Sequence, residues 1–268
     1  MKKYVNLFVF VFMVGACFSQ GKAQTKSAVS YKNPVVDIAM PDPTVIKAAD
    51  GYFYMYATES TRNVPIMKSK DLVQWTYCNT AFTNKTRPRF EPKAGIWAPD
   101  INYINNKYVL YYAMSVWGGE QTCGIGVATA DSPQGPFTDH GKMFRSNEIG
   151  VQNSIDPSFL QYEGRNYLVW GSFRGIYVIE LTEDGLSLKP GAEKKRIAGT
   201  AFEAAYIHKH GDYYYMFASI GSCCEGIRST YKVVVGRSKK VWGPYKDKSG
   251  KPMLKNGYSL VIGANDHF

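Results

Sequence analysis

Asp42, Asp100, Asp156 and Glu203 each open a segment of one pattern: an acid, an apolar strand, a tight turn, and an aromatic strand ending in small residues. The segments are residues 42–58, 100–115, 156–172 and 203–219, and their leading acids lie 58, 56 and 47 residues apart. Carboxyl groups gathered at one place can do two kinds of chemistry. With one kept protonated and another ionised, they move protons to and from a reacting group. Otherwise their oxygens hold hydroxyls or cations. Gathering them for neither purpose is costly, because each ionised group loses water and repels its neighbours. An Asp-Pro that merely starts a turn explains one occurrence, not a matched set.

The elements that must position these acids are short strands. Asp50-Gly51, Asn105-Asn106, Glu163-Gly164 and His210-Gly211 supply hairpin turn chemistry inside the four segments. The strand after each turn is a nearly continuous run of Tyr, Phe, Val, Leu and Met, as suits a strand buried on both faces. Further turn signals, Pro133-Gln134-Gly135-Pro136-Phe137 and Trp242-Gly243-Pro244-Tyr245, fall between the repeats. No long stretch keeps a 3.6-residue period. Units of roughly 50 residues with four short strands predict an all-β fold, a β-propeller. Its inner strands converge on one axis, so residues at matched places face one funnel, and the four acids are expected there as a ring.

Lys2 and Lys3 precede an apolar run from Leu7 to Ala16 that is too short to span a bilayer, so residues 1–24 read as a signal peptide. The stretch Val14-Gly15-Ala16-Cys17 also resembles a bacterial lipobox, which leaves a lipid-anchored form at Cys17 open. The protein is expected to be exported: periplasmic, extracellular or held on the cell surface. No other stretch approaches a transmembrane helix. Residues 25–268 read as one β-propeller domain. Loss of Lys2, Lys3 and Lys22 takes the formal charge from +10 to +7. Such a charge suits an acidic polymer such as pectin or a scattered solvated surface; no clustered run points to nucleic acid. The cysteines fit no zinc spacing, and Cys223-Cys224 is left open between a vicinal disulfide and two thiols.

Pro41-Asp42-Pro43, Ser154-Ile155-Asp156-Pro157 and Glu203-Ala204-Ala205-Tyr206, in this order and spacing, resemble family 43 of the glycoside hydrolases. The resemblance runs from about Asn33 to Phe268. Within the family the endo-α-1,5-L-arabinanase branch is most similar, through Cys223-Cys224-Glu225-Gly226 to Tyr231-Lys232, through Gly95-Ile96-Trp97-Ala98-Pro99-Asp100, and through Ser115-Val116-Trp117. The resemblance implies a five-bladed propeller that hydrolyses α-1,5-arabinofuranosyl linkages with inversion. It makes Asp42 the general base, Glu203 the general acid, and Asp156 the group that orients the acid and raises its pKa by like-charge repulsion. Asp37, a rival base, reads as a loop residue. Trp97 and Trp117 are the candidates for stacking on furanose rings, and Asn153 and Ser172 for binding substrate hydroxyls. His140, His208 and His210 read as surface residues, and no spacing suggests a catalytic metal.

Two departures stand out. The family's fifth blade begins with a Gly-x-Gly-His-like motif whose histidine helps to hold a central calcium ion. Here the chain reaches Asn265-Asp266-His267-Phe268 where that blade would begin, and His267 falls too early for that ligand. The resemblance therefore implies a C-terminally incomplete fragment lacking roughly 50 residues. Arg174, within Gly171-Ser172-Phe173-Arg174-Gly175, stands where the branch often has an aromatic. The expected partner is plant cell-wall polysaccharide, arabinan or pectin side chains, met by a monomer. An exo-acting arabinofuranosidase or β-xylosidase, and a non-catalytic carbohydrate-binding propeller, remain the competing readings.

Overall fold

The computed structural model describes residues 31–263. Residues 1–24, read above as a signal peptide, with Cys17, and His267 lie outside the described residues. The turns form where the sequence puts them: Asn105-Asn106 and Glu163-Gly164 carry positive φ at both positions, 48° and 63°, then 49° and 74°, as a two-residue turn between twisted strands requires.

These hairpins extend into four antiparallel sheets, each a meander of four strands. The first holds β1 (Thr44–Lys47), β2 (Phe53–Tyr56), β3 (Pro65–Ser69) and β4 (Thr76–Thr80). The second holds β5 (Gly95–Ile104), β6 (Lys107–Ser115), β7 (Gly124–Ala130) and β8 (Thr138–Arg145). In the third are β9 (Ser158–Tyr162), β10 (Arg165–Trp170), β11 (Ile176–Glu180) and β12 (Lys195–Ala198). The fourth comprises β13 (Glu203–His210), β14 (Tyr213–Ile220), β15 (Lys232–Ser238) and β16 (Ser259–Ile262). Among the described residues the only α-helix is the four-residue Ser146–Ile149. The arrangement is that of a four-blade propeller; the resemblance implied five.

The core lies between neighbouring sheets. Tyr54, Ile66 and Phe82 of the first sheet and its following loop pack with Leu110 and Tyr112 of the second. Tyr111, Val127 and Phe144 meet Leu168 and Trp170 of the third. Val169 and Val178 meet Met216 and Val234 of the fourth. β6 is buried at every residue after Lys107, as its unbroken apolar run foretold. Each such large side chain contributes roughly 1.5–3 kcal/mol by leaving water.

One backbone feature repeats in all four sheets. Asp42, Ala98, Asp156 and Ala204 have φ of 50°, 40°, 57° and 52°, in the left-handed region that costs a non-glycine residue about 1–3 kcal/mol. Each stands two residues before a matched pairing on the inner strand: Thr44↔Tyr56, Asp100↔Tyr111, Ser158↔Val169 and Tyr206↔Phe217. Asp100 is thus the counterpart of Thr44 and Ser158, not of Asp42 and Asp156. That corrects the expected ring of four acids. The bulge between Trp97 and Asp100 shifts the acid past the kink. There it accepts hydrogen bonds from the Phe159 N–H (2.7 Å), the Asn102 amide (2.8 Å) and, at longer range, the Thr44 hydroxyl (3.5 Å). Asp100 ties three sheets together, and burial pushes its carboxyl up to about 6.

Candidate functional site

Asp42, Asp156 and Glu203 come from the first, third and fourth sheets and lie close enough to feel one another's charge. Glu203 is the first residue of β13 and only 8 % exposed. Burial holds its carboxyl above the usual range, and the charge of Asp42 adds to that. Two hydroxyls oppose the rise by favouring the ionised form: Ser172, which donates at 2.7 Å, and Tyr231. Asp156 is held well above its usual range, again by burial first, then by the charges of Glu203 and Asp42, while the Ala204 N–H donates to it. The resemblance implied like-charge repulsion within this pair; burial is the larger cause for both. Two carboxyls this close, one buried and one half-buried, do not both ionise readily, so the pair tends to keep a proton.

Asp42 differs from both in being exposed to solvent. The Thr58 hydroxyl donates to its Oδ2 at 2.5 Å and itself accepts from the Ala98 N–H at 2.7 Å. The kink of the second sheet thereby fixes the carboxylate at the mouth of the first. Together the three acids offer a proton source in a sheltered place and a proton acceptor in a wet one.

The binding candidates divide. Trp117, between β6 and β7, is 78 % exposed, and its ring centroid lies 5.5 Å from that of Trp97 at a 51° tilt. Trp97 is half-buried against Ala113, Cys123 and Ile155, so packing claims much of its surface. The Asn153 amide donates to the Ser172 hydroxyl (2.9 Å) and carbonyl (3.2 Å), and Ser172 donates to Glu203. These two form a relay onto the acid. Asp37, His140, His208 and His210 are exposed, as expected of surface residues. Cys223 and Cys224 form a disulfide, which decides the pairing left open above.

Thr58 and Tyr231 were not singled out as site residues, although the sequence held a signal for each. Thr58 closes the first repeat as Ser172 closes the third, and Tyr231 lies inside the stretch that carried the arabinanase resemblance. Glu120 was also missed. It accepts from Gln152 (2.7 Å) and Arg174 (3.0 Å), joining three loops near Ser172. Among the described residues no three His, Cys, Asp or Glu side chains group as a metal site. The central calcium that the resemblance implies enters no step below.

The model of the glycosyl hydrolases family 43 matches residues 31–266. The chain belongs to this family. It is 38 % identical over 241 residues to the extracellular endo-α-(1→5)-L-arabinanase 1 of Bacillus subtilis, covering 85 % of this chain and 73 % of that relative. It is 34 % identical over 252 residues to an extracellular exo-α-(1→5)-L-arabinofuranosidase of Cellvibrio japonicus, covering 84 % and 71 %. Among solved structures it resembles a Cellvibrio cellulosa α-L-arabinanase complexed with arabinohexaose, at a TM-score of 0.76 and 33 % identity, over 84 % of this chain and 79 % of that one.

Proposed function

We propose that this family 43 chain is an exported hydrolase of the α-1,5-arabinofuranosyl linkages of arabinan, with endo action and inversion at the anomeric carbon. The observation that carries the reading is the division of environments among three acids from three sheets: Glu203 buried and raised, Asp156 raised beside it, Asp42 in water. An inverting glycosidase needs this division. Glu203 donates its proton to the leaving glycosidic oxygen while Asp42 takes one from the water that attacks the opposite face of the sugar. Inverting pairs stand roughly 6.5–9.5 Å apart to admit that water. Asp156 keeps the proton on the pair until the leaving oxygen needs it, and orients Glu203. Ser172, itself held by Asn153, holds the acid's oxygen, Thr58 holds the base, and Trp117 with Trp97 stacks on furanose faces.

The names of relatives support arabinan as substrate, and both curated relatives described above are called extracellular. Among the described residues no helix is long and apolar enough to cross a membrane. Residues 1–24 are proposed to be removed on export, leaving 25–268 as catalytic domain. We also propose that a fifth sheet closes the ring between the first and fourth sheets. Tyr206, Leu260 and Val261 of the fourth sheet are 55 %, 56 % and 45 % exposed, and Val45 and Tyr77 of the first are 44 % and 47 % exposed. Faces so apolar are normally covered. If a chain extended by that repeat melts no higher and binds as much hydrophobic dye as residues 25–268, the closure is wrong.

The deciding experiment is hydrolysis of linear arabinan with products resolved over time and xylan run in parallel. Early arabino-oligosaccharides support the endo reading. Arabinose alone supports exo action, which the similarity to the Cellvibrio japonicus enzyme keeps open. Release from xylan only would overturn the arabinan assignment, and no release from either, by a folded protein, would favour a binding module.

A further inference from the structure

The later part of the fourth sheet, residues 226–263, holds most of the molecule's net positive charge. Residues 226–263 contain nine Lys and Arg against a single acid, Asp247, in a chain whose whole formal charge is +10. Asp247 is occupied by its own turn, accepting from the Ser249 N–H and hydroxyl and from the Lys251 N–H. Elsewhere acids are interspersed, and seven cations meet them, among them Arg87 with Glu59, Lys107 with Asp131, Arg145 with Glu91 and Lys189 with Glu180. Among the described residues none of these nine cations is in an ion pair.

Backbone pairing draws four of them together. Arg237 and Lys246 exchange N–H···O bonds at 2.9 Å, Lys246 bridges Pro252, the Asp247 N–H donates to the Lys251 carbonyl, and the Lys248 N–H donates to the Ser259 hydroxyl. Arg237, Lys246, Lys248 and Lys251 are all exposed. The guanidinium of Arg237 and the ammonium of Lys239 lie over the Tyr213 ring at 4.6 and 5.8 Å, so cations already flank that ring. Recognition here is therefore by charge rather than by stacking. A row of unpaired cations repels itself, and a line of anions relieves that cost.

We propose that this rim docks a polyuronate, a linear polysaccharide bearing one carboxylate per sugar, and so holds the enzyme on the charged polymer beside its neutral substrate. The choice of a polysaccharide rests on the proposed function; the cationic rim does not. Glu203 and Asp42 belong to other edges of the fold, so docking and hydrolysis are separable.

The test is retention of the full chain on cross-linked polygalacturonate, with neutral arabinan and phosphatidylglycerol–phosphatidylcholine vesicles as parallel arms. Raising salt from about 0.01 M to about 1 M shortens the screening length from roughly 30 Å to 3 Å and should abolish retention. The triple variant Lys246→Glu, Lys248→Glu, Lys251→Glu should lose about tenfold in affinity. A control triple, Lys85→Glu, Lys194→Glu, Lys195→Glu, changes net charge equally on other sheets and should lose much less. Unchanged melting of the rim variant, and unchanged hydrolysis of short neutral arabino-oligosaccharides, would show an intact fold. Equal loss in both triples, no retention of the wild type, or tighter binding to the vesicles would each overturn the proposal. A wild type that binds polyuronate but hydrolyses nothing would instead count against the proposed function alone.

Discussion

At the scale of single residues, proton traffic depends on what each carboxyl touches. Glu203 is raised by burial and restrained by the Ser172 and Tyr231 hydroxyls, which favour its ionised form. Glu203→Gln and Asp42→Asn should each lower kcat on linear arabinan by about 10²–10⁴-fold, the usual worth of a general acid or base, with circular dichroism unchanged. Either variant turning over at near-normal rate would remove that residue from its role. Ser172→Ala tests the restraint. Without the donated hydrogen bond the protonated acid persists to higher pH, so the alkaline limb of the kcat/KM profile should move upward. Movement downward, or none with kcat intact, would mean that Ser172 does not act on Glu203.

At the scale of elements, the mouth of the first sheet is pinned by one buried ion pair. Glu59 accepts both guanidinium ends of Arg87 and the N–H groups of Asn63 and Ile96, and the side chains of the pair are only 7 % and 9 % exposed. Burial alone would raise the Glu59 carboxyl; Arg87 and the two N–H groups more than offset it and leave it lowered. Arg87→Ala strands that charge and should cost roughly 3–5 kcal/mol, read as a fall in the denaturant midpoint. Because Glu59 sits one residue from Thr58, the same variant should also weaken turnover through Asp42. A loss below about 1 kcal/mol, the range of a surface pair, would show that water reaches Glu59.

For the whole molecule, the joint between sheets matters more than any one sheet. Asp100 bonds groups from the first, second and third sheets while its carboxyl stands at about 6. A carboxyl raised on folding stabilises most when protonated. Its contribution is full below the unfolded value near 4 and is lost as pH rises through 6. Asp100→Asn keeps the shape and the acceptor facing Phe159 but removes the charge. The variant's melting temperature should therefore gain on that of the wild type between about pH 4 and pH 6. A constant difference across that range would place Asp100 in water. The same joint shows where sequence reading slipped: spacing along the chain grouped Asp100 with Asp42, yet register places it beside Thr44.

From residue types and spacing alone came the all-β repeat, the hairpin turns, the two-sided burial of the strand after the turn that β6 shows, and four acids to consider, Asp42, Asp100, Asp156 and Glu203, which the family resemblance narrowed to Asp42, Asp156 and Glu203. These were legible because turns and two-sided burial are set by local chemistry, and a repeat needs only one period to show. Which acids meet was not legible, since a bulge or kink of one residue redirects a side chain, and the left-handed turns at Ala98 and Ala204 carry no sequence mark. The links from Thr58 to Asp42 and from Asn153 through Ser172 to Glu203 cross between loops and sheets, as does the contact of Tyr231 with Glu203. Contacts between chain segments so far apart exist only after the sheets pack, so tertiary structure alone decided which carboxyl is dry, which is wet, and which merely holds the blades together.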